Sequence, residues 1–168
     1  PPDSLTWSIT GSGADDGLFT INAATGALTF NSAPDFESPG DADADNVYNV
    51  EITADDGNGG FDVQAVSVTV TDANEAPTAD AGGGYIIDEG GGVTLSAVGS
   101  SDPDAGDSLS YSWDLDNDGV LDGAVGPGPA LTWAQLGFFG ITDDGVYTIG
   151  VEVTDQGGLK STDVTTLT

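Results

Sequence analysis

Apolar and polar residues alternate in short runs along the whole chain, and clusters of Gly, Asp, Asn and Pro separate these runs. A period of two places successive side chains on opposite faces of a strand, so this pattern predicts half-buried β-strands. The predicted strands are 5–9, 18–21, 28–30, 47–52, 63–71, 92–97, 109–113, 146–153 and 162–167, with one helical turn at 131–136. We therefore predict an all-β chain of the sandwich type.

An internal repeat predicts two domains. Segment 3–9 resembles segment 107–113, and segment 47–56 resembles segment 146–155. Both offsets are roughly one hundred residues, the length of one sandwich domain. We expect two tandem Greek-key β-sandwiches, at 1–75 and 76–168. The second has a strand before its copy of the repeat and the first does not, so the first domain is expected to lack its first two strands.

The charge of the chain is strongly negative. Its 29 acidic residues, 24 of them Asp, face a single basic residue, Lys160, and give a net charge of −28. Such a chain repels nucleic acid backbones and anionic membranes, so neither is an expected partner. Two explanations of the charge stay open and are compatible: a carboxylate-rich surface of the halophilic or marine kind, and bound calcium that neutralises part of it.

The absence of His and Cys restricts the chemistry. No Ser-His-Asp or Cys-His arrangement is possible, and zinc lacks its usual ligands. Composition does not exclude a carboxylate pair for glycoside hydrolysis, but nothing marks one pair among so many acids. We therefore expect that the protein is not an enzyme and has no catalytic residues. It also has no disulfide, and bound calcium could stabilise the fold in place of one.

No apolar run has membrane-spanning length, so no direct membrane insertion is expected. The chain begins Pro-Pro-Asp without Met, which suggests a piece of a longer protein.

A candidate calcium loop follows the strand at 109–113. Asp114, Asp116, Asp118 and Asp122 stand at positions 1, 3, 5 and 9, and Gly119 stands at position 6. In a calcium loop alternate carboxylates point inward and the Gly permits a sharp bend. Position 12 is valine, so a bidentate ligand would come from elsewhere or from water. The competing interpretation is an ordinary polar turn.

Residues 1–77 resemble the cadherin family, especially bacterial cadherin-like repeats. The matching motifs are Phe19-x-Ile21, Thr25-Gly26-x-Leu28, Asp35-Phe36-Glu37, Tyr48-x-Val50, Ala-Asp-Asp-Gly at 54–57 and Asp-Ala-Asn-Glu-Ala-Pro at 72–77. The resemblance implies calcium at the joint between successive domains, with Asp35, Glu37, Asp56, Asp72, Asn74 and Glu75 as ligands. The chain departs from the family pattern at Glu75 and Ala76, and the family's first-strand Glu ligand falls in the missing segment.

Residues 76–168 resemble a PKD-type or related immunoglobulin-like repeat of large bacterial surface proteins. The matching residues are Ala79-x-Ala81-Gly82, Val-Thr-Leu at 93–95, Ser-Asp-Pro-Asp at 101–104, Tyr-Ser-Trp-Asp at 111–114, and 145–158. Asp102 and Asp104 have the Asp-x-Asp spacing with which cadherin repeats receive the joint calcium; an Asp-rich loop is the alternative.

Three further runs of acidic residues give weaker indications of a metal site. The alternating run 41–46 could hold a local ion, but we favour a solvated loop. Runs 15–17 and 143–145 are expected to be turns, the first of them exposed to solvent. Trp7 and Trp113 are expected in the core, and only Trp133, beside Phe138 and Phe139, is a candidate ligand-binding aromatic.

The resemblance implies a calcium-rigidified structural or adhesion module of an extracellular bacterial surface protein, such as an adhesin stalk. Its expected partners are neighbouring repeats of the same chain. Two alternatives stay open. One is a subunit of a cell-surface filament, in which identical chains complete each other's sheets; the other is an accessory carbohydrate-binding module of a secreted enzyme, with surface glycans as partners.

Overall fold

The computed structural model describes residues 4–168, so Asp3 of the sequence repeat lies outside the described residues. The chain folds into two compact units, of which the first ends at Ala73 and the second is Asn74–Thr168. Strands dominate both, and the one α-helix described is a single turn. The predicted all-β class is confirmed.

In the first unit, residues 4–73 form five strands: β1 (Thr6–Ile9), β2 (Phe19–Ile21), β3 (Leu28–Phe30), β4 (Val47–Asp55) and β5 (Phe61–Thr69). An antiparallel sheet has the order β1-β4-β5, and β2 and β3 form a separate hairpin. Phe19, Tyr48 and Val50 are buried between the two sheets. The ring of Phe30 lies edge-on to Tyr48, with centroids 5.0 Å apart, a favourable aromatic geometry.

The second unit contains β6 (Val93–Thr94), β7 (Ser110–Asp114), β8 (Ala124–Val125), β9 (Ala130–Leu131), β10 (Tyr147–Thr154) and β11 (Lys160–Leu167). Its larger sheet has the order β11-β10-β7-β8, and β6 pairs with β9. The core between these sheets is larger than that of the first unit and includes Trp113, Leu95, Ile149 and Leu167, all at most 1% exposed.

The strand pairing of the two units follows the internal repeat. Trp7 pairs with Ala54 across β1 and β4, and Tyr111 pairs with Val153 across β7 and β10. The two pairs occupy equivalent positions of the sequence repeat. A one-residue slip would exchange the two faces of a strand, so equal register places equivalent residues on equivalent faces. The repeat therefore reflects the same arrangement of three strands, which is β1-β4-β5 in the first unit and β7-β10-β11 in the second.

The predicted helical turn is α1 (Trp133–Leu136), followed by a 3₁₀ turn at Gly137–Phe139. Thr132 caps α1 by a capping box: its side chain accepts from the Gln135 backbone, and the Gln135 side chain accepts from the Thr132 backbone. The turn buries Leu136 completely. Between β7 and β10, the side chains of Leu131, Leu136 and Ile141 therefore belong to the core.

The tryptophans have different environments. Trp113 is fully buried, as predicted, and its Nε1 donates to the Gly126 carbonyl at 3.0 Å. Trp7 is half-buried and its indole lies directly over Gly26, where a Cβ would come within 2.9 Å of the ring. Trp133 is half-buried against the core, beside a cleft of about 30 Å³. That volume suits a water molecule, so the cleft gives no support to glycan binding.

Within residues 4–168, no helix combines the length and apolar character that a membrane span requires.

Candidate metal sites

The loop after β7 brings three predicted ligands together. Asp114, Asp116 and Asp118 each place a carboxylate oxygen within 4.8 Å of the other two. We call these three residues the strand-end loop. Asn117 at φ 56 and Gly119 at φ 90 bend the backbone between β7 and β8, and Asn and Gly adopt a positive φ more readily than other residues do. Asp122, the fourth predicted ligand, is exposed and is not part of this group.

Asp114 is the key residue of the strand-end loop. It is the last residue of β7 and is only 7% exposed. Its Oδ2 accepts from the Gly119 amide at 2.9 Å, whereas its Oδ1 is buried and has no hydrogen-bond partner among the described residues. A buried carboxylate oxygen without a donor is costly, and a bound cation would supply the missing partner.

The electrostatics of the loop agree with this requirement. Burial raises the pKa of Asp116, and repulsion from Asp118 and Asp114 raises it further. The loop thus concentrates negative charge that the protein itself does not balance, because Lys160, its one basic side chain, pairs with Glu152 at 2.7 Å. Oxygen-only ligands in an irregular loop suit calcium.

A second group lies elsewhere in this unit and consists of Asp102, Asp107 and Asp155, which we call the Asp155 cluster. Carboxylate oxygens of the three lie within 4.8 Å of one another. Oδ2 of Asp102 and Oδ2 of Asp107 are buried, and neither has a hydrogen-bond partner in the described part of the chain. This cluster therefore also offers unpaired oxygens to a cation. The sequence interpretation identified Asp102 but missed Asp107 and Asp155.

Asp155 joins the cluster to Asn74. Asp155 is 6% exposed, and its carboxylate accepts from the Asn74 amide and from the Leu159 backbone, both at 2.8 Å. The Asn74 side chain lies so close to Gly157 that a Cβ there would collide with it. The predicted ligand Asn74 is thus held against the turn between β10 and β11.

Hydrogen bonding sets the charge state of Asp155. Burial alone would raise its pKa, but donation from Asn74 and from backbone amides of the 157–159 turn outweighs burial and lowers the pKa below its ordinary value of 3.8. A group with a lowered folded pKa stabilises the fold above its unfolded pKa, and this stability is lost as the pH falls through the folded value.

We expect this loss to be measurable with Asp155→Asn, which removes the charge and keeps the shape. In calcium-free buffer, the stability advantage of the wild type over the variant should be constant from about pH 7 to about pH 5 and should shrink below about pH 4. Urea unfolding at each pH measures it. An advantage that grows on acidification would contradict the lowered pKa.

The remaining predicted ligands fall into pairs and turns. In the first unit, Glu37 and Asp72 have carboxylate oxygens within 4.8 Å of each other; in the second, Glu75 and Asp104 do. The Glu75 amide also donates to Asp104 at 3.0 Å. Two predicted ligands are not in any such group of described residues. Asp35 accepts from the amides of 37 and 38, and Asp56 from those of 58 and 60, as in Asx turns.

The prediction that the 15–17 turn is exposed to solvent is wrong, because its two carboxylates accept backbone hydrogen bonds inside the fold. Asp15 is only 3% exposed and accepts from two backbone amides. Asp16 accepts from the amides of Gly13 and Glu51 at 3.0 and 2.8 Å. The 143–145 run is an exposed bend.

Solved structures show the fold. Drosophila N-cadherin EC1-4 is 22% identical with a TM-score of 0.58; the match covers 98% of this chain and 40% of that chain. Human CDH23 EC21-23 is 18% identical, with a TM-score of 0.53, and mouse Cadherin-23 EC22-24 is 17% identical, with a TM-score of 0.54. These two matches also cover 98% of this chain, and 58% and 52% of those chains. The predicted cadherin-like fold is confirmed, and the chain spans only 40 to 58% of these structures.

A comparison with protein-family models identifies the second unit. No curated protein matches the chain. The family model of the PKD domain matches residues 74–168, the same residues that form the second compact unit. The match covers more than half of the sequence, and it confirms the predicted PKD-type repeat. The chain therefore belongs to the PKD domain family.

Proposed function

We propose that the chain is a calcium-binding structural and adhesion module of an extracellular surface protein, of the kind that forms bacterial adhesin stalks, and not an enzyme. One observation carries the proposal: the buried Asp114 has an oxygen without a hydrogen-bond partner among the described residues, and two further carboxylates lie within 4.8 Å. The PKD family and the cadherin-like fold support the structural part of the proposal.

In the proposed mechanism, calcium stabilises the second unit at two places. At the strand-end loop, Asp114, Asp116 and Asp118 would hold the ion at the buried end of β7, and its charge would offset theirs. At the Asp155 cluster, three carboxylates beside Asn74, the first residue of the unit, would hold the ion, which would offset two of their three charges. Without the ion, like charges are crowded at the strand-end loop and destabilise the fold there. Calcium thus replaces the disulfides that this sequence lacks.

The cadherin resemblance adds a prediction that rests on the sequence alone. Calcium bound by the motif at 72–77 would stiffen the segment between the two repeats. This part of the proposed mechanism would convert tandem repeats into a rod, which is what a stalk requires.

A pair of variants tests the strand-end loop. Asp116→Ala removes an exposed carboxylate of the site, and Asp88→Ala removes another exposed carboxylate elsewhere in the unit. We expect Asp116→Ala to weaken calcium binding at this site by roughly tenfold or more, since affinity follows the number of charged ligands. Isothermal titration calorimetry measures the affinity.

Asp88→Ala should leave calcium binding unchanged. Equal and negligible effects of the two variants would mean that the strand-end loop is an ordinary turn. In chelator, Asp116→Ala should melt no lower than the wild type, because the substitution relieves repulsion from Asp114 and Asp118.

A further inference from the structure

The loop at 41–46, between β3 and β4 in the first unit, contains three Asp residues at alternating positions. Asp41, Asp43 and Asp45 each place a carboxylate oxygen within 4.8 Å of the other two. The sequence favours a solvated loop here, but Asp41 is only 7% exposed. A carboxylate has thus been withdrawn from water while two other carboxylates lie next to it, which is unfavourable without a compensating partner.

Asp15, which binds the same loop, shows how this fold satisfies a buried carboxylate. Its Oδ1 accepts from the Ala42 amide at 2.8 Å, and its Oδ2 accepts from the Asn49 amide at 2.6 Å. Both of its oxygens therefore have backbone donors. Asp41 differs: its Oδ2 accepts from the Asp45 amide at 2.8 Å, but its Oδ1 is buried and finds no donor anywhere in residues 4–168.

Asn46 supplies a second oxygen of the same kind. Its Nδ2 donates to the Phe36 carbonyl at 3.0 Å, which fixes the orientation of the amide group. Its Oδ1 is buried and, within the described chain, has no hydrogen-bond donor. Buried side-chain oxygens are nearly always paired in folded proteins. Within this one six-residue loop, two buried oxygens therefore lack a partner that a bound ligand could supply.

The charges of the loop limit what this ligand can be. Repulsion from Asp45 is the largest of the effects that raise the pKa of Asp43. Burial would raise the pKa of Asp41, but backbone amides, led by that of Asp45, lower it, so its charge is retained. No side chain of the first unit can supply a positive charge, because the sequence has only Lys160. A cation that balanced the three carboxylates would therefore come from solution.

We propose that the 41–46 loop is a calcium site of the first unit, with the carboxylates of Asp41, Asp43 and Asp45 and the amide oxygen of Asn46 as ligands. Calcium accepts six to eight oxygen ligands in flexible geometry, whereas magnesium requires near-ideal octahedral geometry and retains its waters. The site shares no residue with the strand-end loop or the Asp155 cluster, so it stands or falls separately from the proposed function.

The position of the loop gives the ion a structural role. The Gly40 amide donates to the hydroxyl of the core residue Tyr48 at 3.1 Å, and Ala42 binds Asp15. An ion in the loop would therefore fasten the chain between β3 and β4 onto the core of the first unit. That core is small and contains only three buried side chains among its described residues.

Asp43→Asn is the sharpest test, because Asp43 is exposed and its substitution removes a ligand charge while relieving repulsion. In a calcium titration of the full ¹⁵N-labelled chain, the amides of 41–46 should shift saturably in the wild type. In the variant, the apparent Kd from these amides should rise about tenfold or more. In chelator, the variant should melt no lower than the wild type.

Two internal controls separate the outcomes. Asp62→Asn, an exposed carboxylate of β5 in the same unit, should leave the shifts of 41–46 unchanged. In Asp43→Asn, the amides of Gly119 and Leu159, which bind Asp114 and Asp155, should titrate as in the wild type. The proposal is overturned if the 41–46 amides do not respond to calcium at about 10 mM, above the range of extracellular modules. It is equally overturned if Asp43→Asn leaves their response unchanged.

Discussion

Chelation of calcium should lower the melting temperature of the second unit by about 10–20 °C for each site that empties. A ligand bound only to the folded state at a hundredfold excess over its Kd contributes about 2.7 kcal/mol. For a unit of this size, about 1 kcal/mol corresponds to about 4–8 °C. The expected shift is large because Asp114 would be left with a buried unpaired oxygen, and Asp102 and Asp107 with one each.

The second unit can be followed selectively in the full chain. Of the three tryptophans, Trp7 lies in the first unit and the other two in the second. In a Trp7→Phe background, tryptophan fluorescence therefore reports only the second unit. The double variant Asp102→Asn/Asp114→Asn is the control, and its melting temperature should depend little on calcium. A wild-type melt that does not change in excess chelator would leave a solvated acidic surface as the explanation of the charge.

Trp113→Ala should destabilise the second unit by about 3–5 kcal/mol, the usual cost of truncating a buried aromatic side chain. Trp113 is fully buried, and its loss also leaves the Gly126 carbonyl without its indole donor. Domain stabilities are only about 5–15 kcal/mol, so a large part of the stability is removed. Because Trp113 directly precedes Asp114, calcium affinity at the strand-end loop should fall as well.

Phe138→Ala is the matched control, since Phe138 is a large apolar residue of the same unit but is 85% exposed. Its effect should stay within about 0.5 kcal/mol, as for other surface substitutions. Urea unfolding measures both variants. A cost for Trp113→Ala as small as that of Phe138→Ala would contradict the assignment of Trp113 to the core.

The long hairpin strands could be predicted from the sequence because β4 and β10 alternate apolar and other residues, and because β5 and β11 are rich in the strand-forming residues Val and Thr. Short strands carry too few residues to show a period. β8 and β9 have two residues each and were not predicted, and the predicted strand at 92–97 is reduced to β6. Their positions depend on pairing with β7 and β6, which is tertiary information.

The candidate sites also differ in whether the sequence alone predicts them. The strand-end loop could be predicted because its ligands are two residues apart, and such a spacing is visible in the sequence. The Asp155 cluster could not, because Asp107 and Asp155 come together only through the pairing of β7 with β10. Burial was also not predictable: Asp15 and Asp41 look like other Asp residues in turns, and the fold alone removes them from water.

The central claim, that the second unit binds calcium at two internal sites, is tested most directly by a calcium titration of the full ¹⁵N-labelled chain. The amides of Gly119 and Leu159 donate to Asp114 and Asp155, so each reports one site. We predict saturable shifts of both amides, with apparent Kd values at or below about 10⁻³ M, the range of extracellular calcium modules. Amides that remain unshifted at about 10 mM calcium, roughly tenfold above that range, would contradict the claim.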